Sequence, residues 1–148
     1  MITDANALRE ARDGWDFVRD CRNVIVGNCD VAAMQTLGFN QSGVRDIGFN
    51  LLLASAFSVL EEVLRQLRDE GKFSGKDNRP KPLMADSRGT LPWLEFALVD
   101  RGREDRNQSI HERRFLSHGL CRDYIAAIER EMHHWGILTK TTPELWHW

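Results

Sequence analysis

Three features of the chain predict an all-α fold. Apolar residues recur every three, four or seven positions in each long segment, no segment alternates with period two, and clusters of turn residues separate the periodic segments. Four main helical segments, with short helical pieces and short connections between them, make an antiparallel bundle the economical arrangement. The 148 residues suffice for one domain spanning 1–148 with a sizeable core.

The first segment is "TDANALREARDGWDFVRDCRNVIV". Leu8, Ala11, Trp15, Val18 and Ile25 form a helical stripe, and Thr3 or Asp4 can cap its start. Gly14 weakens this helix without ending it. "GNCDVAAMQTLGFNQSG" carries turn residues at both ends and predicts a short helical piece from Asp30 to about Leu37, then a turn. A long helix follows from Ser42 to Glu70. Its expected apolar face is Val44, Ile47, Leu51, Phe57, Leu60, Val63, Leu64 and Leu67, with Gly71 as its stop. Gly48, Ala54, Ser55, Ala56 and Ser58 keep part of it slim enough for a second helix to approach. "KFSGKDNRPKPLMADSRG" reads as a linker loop, with its prolines, glycines and scattered charge. "TLPWLEFALVDRGREDRNQSIHERR" reads as the next helix, with Thr90 as N-cap, Pro92 in the first turn, and Leu94, Ala97, Leu98 and Ile110 on its apolar side. The last helix is "SHGLCRDYIAAIEREMHHWGIL". Ser117 caps it, and Leu120 or Cys121, Tyr124, Ile125, Ile128 and Met132 line its buried face. The tail "TTPELWHW" keeps Trp146 and Trp148, which suit contact with the body or a partner.

Composition narrows the function classes. A net charge of −2 argues against a coat of positive charge, so any contact with nucleic acid must be local. Three cysteines, Cys21, Cys29 and Cys121, form no CxxC pair and point to a reducing, cytoplasmic compartment. The start "MITDANALRE" is polar and does not read as a signal peptide, and the ten-residue run "LLLASAFSVL" is short for a bilayer span, so no membrane partner is expected. No HExxH, Cys–His cluster, P-loop, GxGxxG or GxSxG pattern occurs, and the adjacent His133 and His134 point to different sides of a helix; no metal or cofactor is expected. Glu61 and Glu62 read as the solvated edge of the long helix.

That leaves arginine and histidine. "DRGREDRNQSIHERR" sets five arginines and a histidine in fifteen residues. Acids among them, Asp100, Glu104, Asp105 and Glu112, permit the plain reading of a charged helix face. Two Arg–His pairs five apart occur, Arg106 with His111 and Arg113 with His118; only in the first does Asn follow the arginine. RNA can be cut by its own 2′-hydroxyl when a proton shuttle and a cation for the phosphorane are at hand. Histidine titrates near neutrality, and arginine presents a permanent fork to phosphate oxygens.

"RNQSIH" resembles the R-N-x-x-x-H signature of the HEPN superfamily, and the order of helices over residues 40–138 is similar to that family's bundle. The resemblance implies a metal-independent endoribonuclease of the toxin–antitoxin or antiviral-defence kind. It implies His111 as general acid/base and Arg106 as transition-state stabiliser. Asn107, Arg103, Arg113 and Arg114 would bind the RNA substrate. It further implies a homodimer with the cleft at its two-fold axis, and an antitoxin or regulatory protein as partner. The alternative within the same resemblance is a catalytically silent module that binds RNA, a nucleotide or a protein. Some toxin members carry a tyrosine two residues after the histidine; here Arg113 stands there and the chain's one tyrosine is Tyr124. Positions five apart on a straight helix differ by about 140°. Arg106 and His111 therefore meet through a bend, through a long reach, or across two chains.

Overall fold

The computed structural model describes residues 1–35 and 41–139, with the side chains of 28–35 and of 41 and 42 left aside. The expected turn near 36–40, the Cys29 thiol, and the tail with Trp146, His147 and Trp148 lie outside the described residues. Five helices follow in order: α1 (Ala5–Gln35), α2 (Gln41–Asp69), α3 (Pro80–Ser87), α4 (Phe96–Glu112) and α5 (His118–His134). The fold is all-α, with no strand among the described residues.

Asp4 caps α1 by accepting the Ala7 amide at 2.8 Å, and the helix continues through Gly27 to Gln35, so the separate piece expected from Asp30 is its last part. Trp15 and Val18 are fully buried on the predicted stripe. The pair α1–α2 is antiparallel with a constant register. The amides of Thr3 meet Glu70, a Cβ on Gly14 would lie 3.2 Å from Val59, and a Cβ on Gly48 would lie 2.6 Å from Ile25. Each step of eleven residues up α1 is a step of eleven down α2, close to three helical turns, so one face of each helix stays in contact along its length.

The second helix touches α1, α3, α4 and α5. Its buried side chains therefore spread over more than one face: Phe49, Leu52, Leu53, Ala56, Phe57, Val59, Leu60, Val63, Leu64 and Leu67. Two residues of the expected face, Ile47 and Leu51, are instead 44% and 65% exposed. Gly71, at φ 78°, ends α2; the Lys72 amide donates to the Leu67 carbonyl and the Gly71 amide to the Arg68 carbonyl, a Schellman turn. By length and composition, Gly43–Asp69 is apolar enough to cross a membrane, a longer stretch than the ten-residue run alone, and half of its window is buried within the bundle.

The expected linker loop contains α3. Its two prolines, Pro80 and Pro82, sit in the first turn, where a missing amide costs nothing, and Leu83 and Met84 enter the core. Ser87 accepts the Trp93 indole N–H at 3.1 Å, and Trp93 meets the buried Trp135 edge-on at 4.7 Å. The next helix begins later than Thr90. Residues 90–95 form an approach whose Leu94 and Glu95 amides donate to the buried Glu131 carboxylate. Leu94 and Ile110 are 57% and 66% exposed and Ala97 is exposed; Val99, Gly102 and Arg103 form the buried side of α4. For α5, Ser117 caps as expected, accepting from Leu120, and Cys121, Tyr124, Ile125, Ile128 and Met132 are all buried.

Glu70 ties the start of α1 to the end of α2. Its carboxylate accepts Thr3 and Asp4 amides at 2.8–3.0 Å, and these bonds, Thr3 first, hold it down at about 2. A depressed carboxyl contributes stability above its ordinary value of 4.5 and loses it as pH falls toward about 2. Glu70→Gln should therefore melt below the wild type at pH 6, the two converging by pH 2; thermal melts across that range check it.

Candidate functional site

The rotation of α4 in the bundle is fixed at Gly102 and Asp105. A Cβ on Gly102 would lie 2.8 Å from the Tyr124 ring, so α4 sits hard against α5 at that point. The Tyr124 hydroxyl donates to Asp105 from a buried position; burial first, then that carboxylate, raises its pKa. With Gly102 and Asp105 turned to α5, the neighbouring Arg106 turns to α2.

Arg106 is largely enclosed, its side chain 19% exposed. Its guanidinium carbon lies 5.0 Å above the Phe57 ring, within cation–π range. One terminal nitrogen is 3.7 Å from Oε1 of Glu61, and Nε is buried with no protein hydrogen-bond partner. Burial lowers the guanidinium pKa, while the Glu61 carboxylate opposes that. Glu61 is half-buried, unlike the exposed Glu62, and this corrects the reading of both as a solvated edge. Desolvation raises its carboxyl, with Arg106 and then Arg65 pulling it back.

His111 stands exposed in the last turn of α4, and Asn107 is also exposed. The helix is unbroken from Phe96 to Glu112, so the chain does not bend between Arg106 and His111; the two side chains leave it about 140° apart. The break comes just after, at Arg113. Its φ of 55° is left-handed, and its amide and that of Arg114 return to Ile110 and Ser109 carbonyls.

The flanking arginines divide. Arg113 and Arg114 are exposed at this turn, with Arg114 paired to Glu112. Arg103, expected among the phosphate ligands, is only 4% exposed and is held by Asp100 at 2.8 Å and Glu104 at 3.3 Å. Its charge is committed inside the bundle. His118 belongs to the frame: its amide and ring Nδ1 both meet Asp46, at 2.7 and 2.8 Å. A groove of about 260 Å³ runs along the other side of α4, but Asp105 and Glu112 line it and neither Arg106 nor His111 does. The Cys121 thiol is buried, and burial pushes it up to about 12.

Sequence reasoning missed Phe57, Glu61 and Asn50. Asn50 brackets Leu116, receiving its amide at 3.1 Å and donating to its carbonyl at 2.7 Å, which anchors the turn after the motif to α2. The available signal was spacing: Asn50, Phe57 and Glu61 recur at seven and four on one face of α2. In comparisons with family models, curated proteins and solved structures, nothing matches this chain.

The left-handed Arg113 gives a direct test of this turn. A non-glycine residue there carries steric cost that glycine avoids. Arg113→Gly should raise stability by about 0.5–1 kcal/mol in urea denaturation, while weakening RNA binding if the side chain grips phosphate. Stability and affinity should move in opposite directions.

Proposed function

We propose that the chain is a metal-independent endoribonuclease of the HEPN type, acting in the cytoplasm as a toxin or defence effector and working as a homodimer. The observation that carries this reading is the state of Arg106. It is a guanidinium held over Phe57 and beside Glu61, without a carboxylate at hydrogen-bond distance, five residues before an exposed histidine. Arg106 offers a fixed cation to the phosphorane charge. His111 moves the proton between the 2′-hydroxyl and the leaving 5′-oxygen. Asn107, exposed between them, faces the same phosphate, and Arg113 and Arg114 bind its neighbours.

The unbroken helix supports the dimer reading. A long reach by Arg106 is opposed by its seat on α2, so the histidine that completes its site comes from a second copy. The α2 surface beside that seat supports such a contact. Ile47, Leu51, Ala54 and Ser58 are exposed at spacings of four, three and four, a single stripe of apolar and small residues. Ile110 and Phe115, 66% and 61% exposed, add apolar surface around His111. A two-fold axis would also double the local arginine density that one mildly acidic chain lacks.

His111→Ala and Arg106→Ala should each lower RNA cleavage in EDTA by about 100-fold or more with helical content retained. The products should carry 2′,3′-cyclic phosphate and 5′-hydroxyl ends. Cleavage undiminished in either folded variant removes the proposed pair; 5′-phosphate products point to an external water nucleophile.

Leu51→Glu should convert the dimer to a monomer in light scattering and abolish activity with it. A wild type that remains monomeric while fully active at assay concentration overturns the shared site.

A further inference from the structure

We infer that Glu61 is a positioning residue for Arg106, an inference that rests on the ribonuclease reading. The two residues come from different helices, α2 and α4, and Phe57 and Glu61, four apart on α2, form a two-point seat beneath one guanidinium. Phe57 supplies a flat apolar face 5.0 Å from the guanidinium carbon. Glu61 supplies the charge at one edge. Its two oxygens are divided, Oε1 toward Arg106 at 3.7 Å and Oε2 toward Arg65 at 3.4 Å.

The length of the first contact is what matters. Charge-assisted N–H···O bonds close at roughly 2.7–2.9 Å. At 3.7 Å, Glu61 attracts the guanidinium without occupying its donors. Arg103, one turn earlier, shows the other outcome: an Nε contact of 2.8 Å to Asp100 and near-complete burial. A guanidinium bound that way is a strut. Arg106 is restrained in direction yet keeps N–H groups for an incoming phosphate. Arg65, pulling on the other carboxylate oxygen, keeps Glu61 from closing on Arg106. Burial on both sides strengthens the attraction that remains.

Removing the charge at Glu61 should thus have two opposite effects. The phosphate no longer competes with a nearby carboxylate, so RNA should bind more tightly. The guanidinium loses its alignment, so the chemical step should slow. Glu61→Gln keeps the shape; Glu62→Gln, an exposed neighbour, is the control. Expected for Glu61→Gln are a kcat lower by about 10-fold and a Kd for a 2′-O-methyl oligoribonucleotide, which cannot be cleaved, lower by about 3-fold. Glu61→Asp should recover part of the lost kcat. A third readout needs no RNA: NMR relaxation of the Arg106 Nε–Hε group in the free protein, restricted in the wild type and loosened in Glu61→Gln. Glu61→Gln matching Glu62→Gln in kcat, Kd and relaxation overturns the inference while leaving the ribonuclease reading intact. If the wild type fails to cut RNA, the ribonuclease reading falls by itself. The relaxation then decides whether Glu61 orients Arg106: loosening supports it and unchanged mobility overturns it.

Discussion

Carboxylates that reach from one helix to the first amides of another hold this bundle together. Glu70, at the end of α2, takes the Thr3 and Asp4 amides ahead of α1. Asp46, near the start of α2, takes the first amide of α5. Glu131, fully buried in α5, takes the Leu94 and Glu95 amides ahead of α4. Helix N-termini expose unpaired amides and a partial positive charge, and an acid placed there stabilises by about 1 kcal/mol. Each of these acids is distant in sequence from the amides it binds, so each contact fixes tertiary structure and helix start together.

Two of these contacts help set where the candidate site lies. Glu131 decides where α4 begins, and Gly102 and Asp105 decide how it is turned. Asp46 and Asn50 pin the turn that follows it to the first half of α2. Arg106 therefore has little freedom to choose its surroundings: it arrives over Phe57 and beside Glu61 because the ends of its helix are fixed. If the proposed chemistry holds, a cation carried on a helix held at both ends would cost less alignment than one on a loop.

How much was legible in the sequence follows the range of the interactions. The α1 stripe, the Asp4 and Ser117 caps, the Gly71 stop and the α5 face are local features, and the structure places them as read. The start of α4 was misread because its N-terminal amides are satisfied by Glu131, 36 and 37 residues away, rather than by Thr90. The α3 prolines, read as loop signals, stand in the first turn, where helices accept them. The apolar pattern alone does not separate Ile47 and Leu51 from the core, because α2 contacts four other helices and buries more than one face. For the site, spacing exposed Arg106 and His111 but said nothing of which arginine keeps its donors. Arg103 and Arg106 are equivalent as letters; their partners, Asp100 within the helix and Glu61 across it, make one a strut and leave the other available.

The distribution of charge makes sense on those terms. Five arginines in fifteen residues do not form a uniform basic face. Arg103 is neutralised in the interior and Arg114 is paired with Glu112, while Arg106 is enclosed and only loosely countered. Local carboxylates therefore offset part of the field that a string of arginines would project, in a chain of net charge −2, while Arg101 and Arg113 stay exposed. Among the five, Arg106 is the one seated on an aromatic ring, and it lies on the same helix as the exposed His111. In one chain Arg106 and His111 diverge around the α4 axis, and α2 carries an exposed stripe of apolar and small residues. In the dimer proposed above, a second copy seated on that stripe would join Arg106 and His111 without bending a helix, and would do so with surface that a solitary chain leaves in water.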